Sequence, residues 1–275
     1  MTLEDLGYPV ELESYRKDKG LASFGVGRVI SEHKERYLVR TADNEYDAEI
    51  IGNFRFSAKQ RADFPAVGDW VAIAEYDENK ALIHAVFPRK TIIERQTIGK
   101  QGEKQIIATN IDFAFIVQAV DRDFNINRME RYLTICNTSG VEPLIILNKT
   151  DLIPEHELTR LIATIQSRIK QVPVMAISNE TLAGIDQLKT QMLKGKTYCL
   201  LGSSGVGKST LLNNLSGREL MKTNSVSDRP PKGRPVTPHR ALFELTCGGL
   251  FLAKPGMRYV GVADAAHGLT LPCLL

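Results

Sequence analysis

The chain is poor in cysteine and has no long apolar run, and each shortage closes off a class of protein. Its 275 residues include four cysteines, Cys136, Cys199, Cys247 and Cys273, none of them in a C-x-x-C pair. That spacing implies neither a disulfide framework nor a zinc site. Cys136 and Cys199 fall inside apolar periodic segments, where a small buried thiol is expected. The strongest apolar runs, 113–117 and 144–147, are far too short to span a bilayer, and no membrane partner is expected. Residues 1–20 are rich in Glu, Asp and Lys, which excludes a secretory signal and points to the cytoplasm. Neither sign of charge dominates, with 35 Lys and Arg against 32 Asp and Glu. A net charge of +3 permits an RNA partner without arguing for one. The apolar share of 43% and charged share of 24% are those of an ordinary globular protein, expected here as a monomer. At roughly 100 to 200 residues per domain, two domains and a short appendage fit the length.

What the chain does contain is organised around Gly202, Ser203, Ser204, Gly205, Val206, Gly207, Lys208, Ser209 and Thr210. This stretch fits G-x-x-x-x-G-K-[ST], with an apolar strand before it and leucines 211, 212 and 215 at helical spacing after it. Strand, glycine loop and helix together give the pattern a mechanism. Backbone amides and the helix dipole supply positive potential for phosphate oxygens. Lys208 is expected to reach the β- and γ-phosphates, and the Ser209 hydroxyl to ligate Mg²⁺.

Before that stretch the pattern changes once. Five short segments rich in β-branched and aromatic residues, 24–29, 37–41, 46–50, 69–75 and 81–87, are separated by turn signals. They predict a small all-β barrel over 20–96, after an N-terminal extension at 1–19. An OB-fold fits, and so does an SH3-like barrel. Arg55, Lys59, Arg61, Arg89, Lys90 and Arg95 could make one face basic for RNA, or simply solvated. From residue 97 to 275 strands alternate with helices: strands at 111–120, 141–147, 172–177, 196–201 and 250–252, and helices near 126–136, 158–169 and 185–192. This alternation predicts an α/β domain, a parallel sheet with helices on both faces.

The second apolar strand runs into Asn148-Lys149-Thr150-Asp151. A carboxylate at that place can accept from guanine N1–H and the 2-amino group; adenine lacks this pair and would leave the acid unsatisfied. Asn148 can meet the other edge of the base, and the Lys149 stem can cover its face. Ser178 sits where a third guanine contact belongs, or else caps a turn. Asp151 therefore favours GTP over ATP, and an ATP-dependent kinase requires it to be incidental. The base motif precedes the phosphate loop by about fifty residues, the reverse of the usual GTPase order. Both lie at carboxyl ends of parallel strands, so one crevice can still receive them. The order is that of a circularly permuted GTPase.

At these residues the chain resembles the small-ribosomal-subunit-dependent GTPase family RsgA (YjeQ/EngC). The resemblance covers nearly its whole length: Pro65-Ala66-Val67-Gly68-Asp69-Trp70 in the barrel, N-K-T-D, G-S-S-G-V-G-K-S-T, then Gly233-Arg234, His239-Arg240 and Pro255-Gly256-Met257-Arg258. It implies GTP hydrolysis to GDP and phosphate in late assembly of the small subunit, with ribosomal RNA and that subunit as partners. It also implies that Thr237 senses Mg²⁺ and the γ-phosphate, and that the Gly256 amide meets the phosphate. The chain departs from the family's G-R-H-T-T-T-H-R in the first switch, where Pro235 replaces the histidine placed around the attacking water and Pro238 one threonine. In the second switch Ala253 stands where D-x-P-G has its aspartate. These changes open an alternative in which the protein is a catalytically impaired nucleotide- and RNA-binding module. The family continues into a zinc-binding domain with Cys and His ligands; His267 and Cys273 cannot make a four-ligand site, so no zinc is expected. A truncated or shifted reading frame would account for the apolar tail at 270–275.

Overall fold

The computed structural model describes residues 1–33, 35–58, 60–96, 104–121, 124–221 and 241–253. A helix, α1 (Glu11–Asp18), precedes the barrel strands β1 (Gly25–His33), β2 (Arg36–Arg40), β3 (Glu45–Ile50), β4 (Trp70–Asp77) and β5 (Lys80–Val86), with a short helix α2 (Gly52–Ser57) between β3 and β4. Period-two burial builds the barrel: Tyr37 and Val39, Tyr46 and Ala48, Val71 and Ile73, Ala81 and Ile83 point inward as one cluster. The strands close in the order β1-β2-β3-β5-β4, with β3 parallel to β5. That connectivity makes the barrel OB-like and resolves the choice left open against an SH3-like topology. The N-terminal segment caps the outside of this barrel. Leu6 and Leu12 pack on Trp70 and Phe87, and Tyr8 meets Trp70 edge-on at 4.9 Å. Burying the one tryptophan and these partners supplies about 2–3 kcal/mol per large side chain.

A hairpin of β6 (Ile92–Gln96) and β7 (Lys104–Thr109) follows, its two strands on either side of position 97, where the sequence suggests that the second domain begins. Ile93 and Ile107 of this hairpin, Ile30 and Val67 of the barrel, and the first face of the sheet share one core. The sheet itself contains β8 (Phe113–Ala119), β9 (Glu142–Asn148), β10 (Val174–Ala176), β11 (Thr197–Leu201), β12 (Leu242–Glu244) and β13 (Leu250–Leu252), in the order β10-β9-β8-β11-β13-β12. Helices α3 (Ile126–Ser139), α4 (Glu155–Arg168), α5 (Ile185–Gln191) and α6 (Lys208–Ser216) cover it. Alternation along β8 assigns the faces. Ala114 and Ile116 pack with Met129 and Leu133 of α3 and Ile165 of α4, whereas Phe115 and Val117 pack with Leu188 of α5 and Leu211 of α6. Helices on both faces are thus borne out. The expectation of a purely parallel sheet needs one amendment: β12 runs antiparallel to β13 at the edge. Three residues with one buried side chain carry too little periodicity to announce such a strand.

The barrel rests on the sheet through buried polar groups. Gly68 has φ +99°, and any Cβ there would overlap the carbonyl of Thr109. Beside it Asp69, fully buried, accepts from Arg89 Nε and Nη2 at 2.8 and 2.7 Å, from Thr109 Oγ1 at 2.6 Å and from Ala66 N at 2.8 Å. Arg28 is buried as well and donates to three carbonyls from three segments: Leu6 at 2.7 Å, Gly68 at 3.2 Å and Asn110 at 3.0 Å. Burial pulls its guanidinium down to about 10, with Asp112 and Asp69 opposing the shift, so it stays charged at neutral pH. Arg89 therefore belongs to the joint and not to a basic face of the barrel. The thiols of Cys136 and Cys199 are buried as expected; burial pushes the first up to about 12 and the second well above its ordinary value.

Candidate nucleotide-binding site

Every candidate residue the structure describes lies at the carboxyl edge of the parallel strands, where open α/β sheets bind ligands. β9 ends in Asn148, β10 leads to Ser178 one residue past Ile177, β11 leads into Gly202, and β13 ends at Ala253. The permuted order is therefore no obstacle: β8 lies between β9 and β11, and the base motif and the loop flank its end.

The loop is cradled from below. Val206 is buried in the second core and Gly202 is buried beside it, while Ser204 and Gly205 are exposed at the rim. Ser203, Gly207, Lys208, Ser209 and Thr210 are half-buried, the last three in the first turn of α6. Lys208 Nζ donates to the carbonyls of Gly202, at 2.8 Å, and of Ser203. An ammonium folded over its own loop in this way is placed for phosphate oxygens on the concave side. Gly207 has φ +94°, and a side chain there would strike the amide nitrogens of Asn148 and Asn179. Only glycine lets the loop lie this close to the base motif.

Those two asparagines join the halves of the site. Asn148, buried, donates from Nδ2 to the Val206 carbonyl at 2.8 Å, and its Oδ1 accepts the Asn179 backbone N–H at 3.2 Å. Asn179 Nδ2 in turn donates to the Gly207 carbonyl at 2.9 Å, and Asn214 of α6 donates to the Asn179 carbonyl at 3.2 Å. Sequence pattern assigns Asn148 to the base; the geometry engages its amide in holding loop and base motif together. Losing such a buried amide costs about 1–3 kcal/mol. Asn179 is missing from the sequence-derived candidates, and its place directly after Ser178 is the only signal for it.

The base side is equally ordered. Lys149 adopts φ +65°, and its Nζ pairs with Asp121 at 2.8 Å, just past the end of β8. Thr150 donates from Oγ1 to the Ile177 carbonyl at 3.0 Å, tying this turn to β10. Ser178 caps the turn that follows it and also reaches the base motif. Its Oγ accepts the backbone N–H groups of Glu180 and Thr181 at 3.2 and 3.1 Å and donates to Asp151 Oδ1 at 2.5 Å. Asp151 is otherwise exposed, and its Oδ2 has no hydrogen-bond partner among the described residues. A carboxylate anchored by one oxygen and open at the other suits a pair of N–H donors on a base edge.

Of the catalytic and metal candidates, Lys208 and Ser209 are placed in the crevice, whereas Thr237 and Gly256 lie outside the described residues, as do Pro235 and Pro238. Ala253 is half-buried and donates its N–H to the Ala241 carbonyl at 2.7 Å; its methyl group offers a metal nothing. Arg128 of α3 is a further member that sequence spacing hides, because only the fold brings it to Ser203, 75 residues away.

A family model described as RsgA GTPase matches residues 86–263. The chain is 38% identical over 282 residues to the "Small ribosomal subunit biogenesis GTPase RsgA" of Syntrophotalea carbinolica, covering 99% of this chain and 77% of that protein. It is 37% identical to the protein of the same name from Opitutus terrae, again with 99% and 77% covered. Among solved structures, YjeQ from Thermotoga maritima superposes with a TM-score of 0.64 at 24% identity, covering 86% of this chain and 76% of that one. YloQ, titled a circularly permuted GTPase, superposes at 0.61 and 20% identity, with 88% and 75% covered. The chain thus spans about three quarters of the length of these relatives.

Proposed function

The chain belongs to the RsgA GTPase family, and on that premise we propose that it binds GTP in this crevice, hydrolyses it to GDP and phosphate, and acts in maturation of the small ribosomal subunit. The observation that carries the reading is the double asparagine brace, which locks a phosphate loop to a base motif whose Asp151 keeps one oxygen open. Asp151 reads the guanine edge, Ser178 orients that carboxylate, and the Lys149 stem covers the base. The loop amides and Lys208 hold the phosphates.

The first turn of α6 fits Mg²⁺ through the Ser209 hydroxyl, with Thr237 assigned as a second ligand from the family resemblance. The ion would neutralise charge on the β- and γ-phosphates. The Gly256 amide is assigned to the γ-phosphate on the same grounds. Residues 1–19 form an appendage, 20–96 the barrel and 97–275 the GTPase domain, the two domains meeting at the β6–β7 hairpin.

The barrel is the part proposed to contact ribosomal RNA. Phe56 of α2 is 93% exposed, next to Arg55, which pairs with Glu35. An exposed ring beside basic groups suits a stacked base. Among the described residues no helix is long and apolar enough to cross a membrane. The protein is proposed to act as a monomer in the cytoplasm.

Single-turnover GTP hydrolysis, with and without purified small subunits, tests this reading. Subunits are expected to stimulate turnover, and ATP to compete poorly for bound GDP. Competition by ATP equal to that by GTP would overturn the guanine assignment. Unchanged turnover with subunits would overturn the ribosomal one.

A further inference from the structure

Arg128 stands in the crevice without a carboxylate partner among the described residues. Its guanidinium reaches from α3 to the phosphate loop, where Nη1 donates to Ser203 Oγ at 2.8 Å, its only hydrogen bond among the described residues. The same residue receives the loop lysine, since Lys208 Nζ donates to the Ser203 carbonyl. Two cations therefore converge on one neutral residue at the edge of an anion site. The arginine is half-buried, on a helix anchored by Met129 and Leu133 in the core, so its base is rigid while its tip reaches the loop at Ser203. A hydroxyl is a weak partner for a guanidinium; a phosphate accepts two charge-assisted bonds in the planar geometry that arginine presents.

We propose that Arg128 is a ligand for the terminal phosphate: with a nucleoside triphosphate in the loop, its guanidinium exchanges the Ser203 hydroxyl for γ-phosphate oxygens. It thereby helps the site tell GTP from GDP. The inference rests on the reading of the crevice as a guanine-nucleotide site and adds a discriminating residue to it. The alternative duty for the same contact is a brace that holds the loop in shape for any nucleotide.

The test compares affinities of the full chain for a non-hydrolysable GTP analogue and for GDP. Arg128→Gln is expected to weaken the triphosphate about tenfold, the scale of one charge-assisted hydrogen bond, and GDP by less than about twofold. Arg128→Lys should recover part of the triphosphate affinity. The ratio of the two affinities does not depend on the fraction of folded protein, so partial misfolding cannot imitate the result. Equal loss for both nucleotides in Arg128→Gln would make the arginine a brace and overturn the proposal, as would no loss for either. A wild-type chain that binds neither nucleotide would overturn the guanine reading and this inference together.

Discussion

The joint between barrel and sheet and the crevice at the strand ends each contain a carboxylate–cation pair, yet these pairs differ in access to water. In the joint, Asp69 is fully buried and the Arg89 side chain is 12% exposed. In the crevice, Asp121 and Lys149 keep 23% and 34% of their side-chain surface. Every oxygen of Asp69 is committed, to Arg89, Thr109 and the Ala66 N–H. Removing one partner of such a set strands a charge in a medium that cannot solvate it. A half-exposed pair can exchange partners with water or a ligand at little cost. Like chemistry is thus scaffold in one place and working surface in the other, and burial makes the difference.

The sharpest way to break this comparison is Asp69→Ala. It leaves Arg89 without its counter-charge and should destabilise the protein by about 3–5 kcal/mol, read as a lowered urea midpoint. A loss under about 1 kcal/mol would mean that the joint behaves like a surface pair. Next in size is Gly207→Ala. Its methyl group would push both asparagine amides off the loop, and φ +94° adds about 1–3 kcal/mol of strain. GDP affinity measured by calorimetry should fall at least about tenfold, with stability falling less than in Asp69→Ala. Unchanged affinity in the folded protein would show that the brace does not shape the site. Asn179→Ala removes one strut of that brace and should weaken GDP binding about fivefold, one ordinary hydrogen bond's worth. Wild-type affinity in that variant would leave Asn148 as the sole strut.

The same division explains what the sequence makes legible. The phosphate loop and N-K-T-D can be read directly because they act through local backbone: a turn, a helix start, a strand end. The strands and helices that carry them follow from apolar period alone, and helix α3 starts at Ile126 and ends before Gly140 as its spacing implies. The joint is different. Arg28 binds carbonyls of residues 6, 68 and 110, and no window of sequence contains all three. An arginine in a predicted strand looks solvent-facing until the N-terminal segment is known to cover it. Arg89 is misassigned to a basic face for the same reason. Asn179 and Arg128 escape because each serves a loop that is distant in the chain. Chain-local chemistry shows in the sequence; contacts across the fold need the fold.

The smallest expected effect tests the crevice half of the comparison. Asp121→Asn removes the charge facing Lys149 but keeps the side chain's shape and one acceptor oxygen. With both side chains wet, the pair should contribute under about 1 kcal/mol to stability, and less as salt is raised. Lys149 holds its left-handed turn through backbone contacts that remain, including the Leu152 N–H donated to its carbonyl at 3.0 Å. GDP affinity should therefore shift by less than about threefold. Urea unfolding at low and high salt, with calorimetric titration of GDP, measures both quantities. If Asp121→Asn instead destabilised the protein as much as Asp69→Ala, exposure would not separate scaffold from working surface, and the Lys149 stem would be held by its ion pair instead of being free to follow the base.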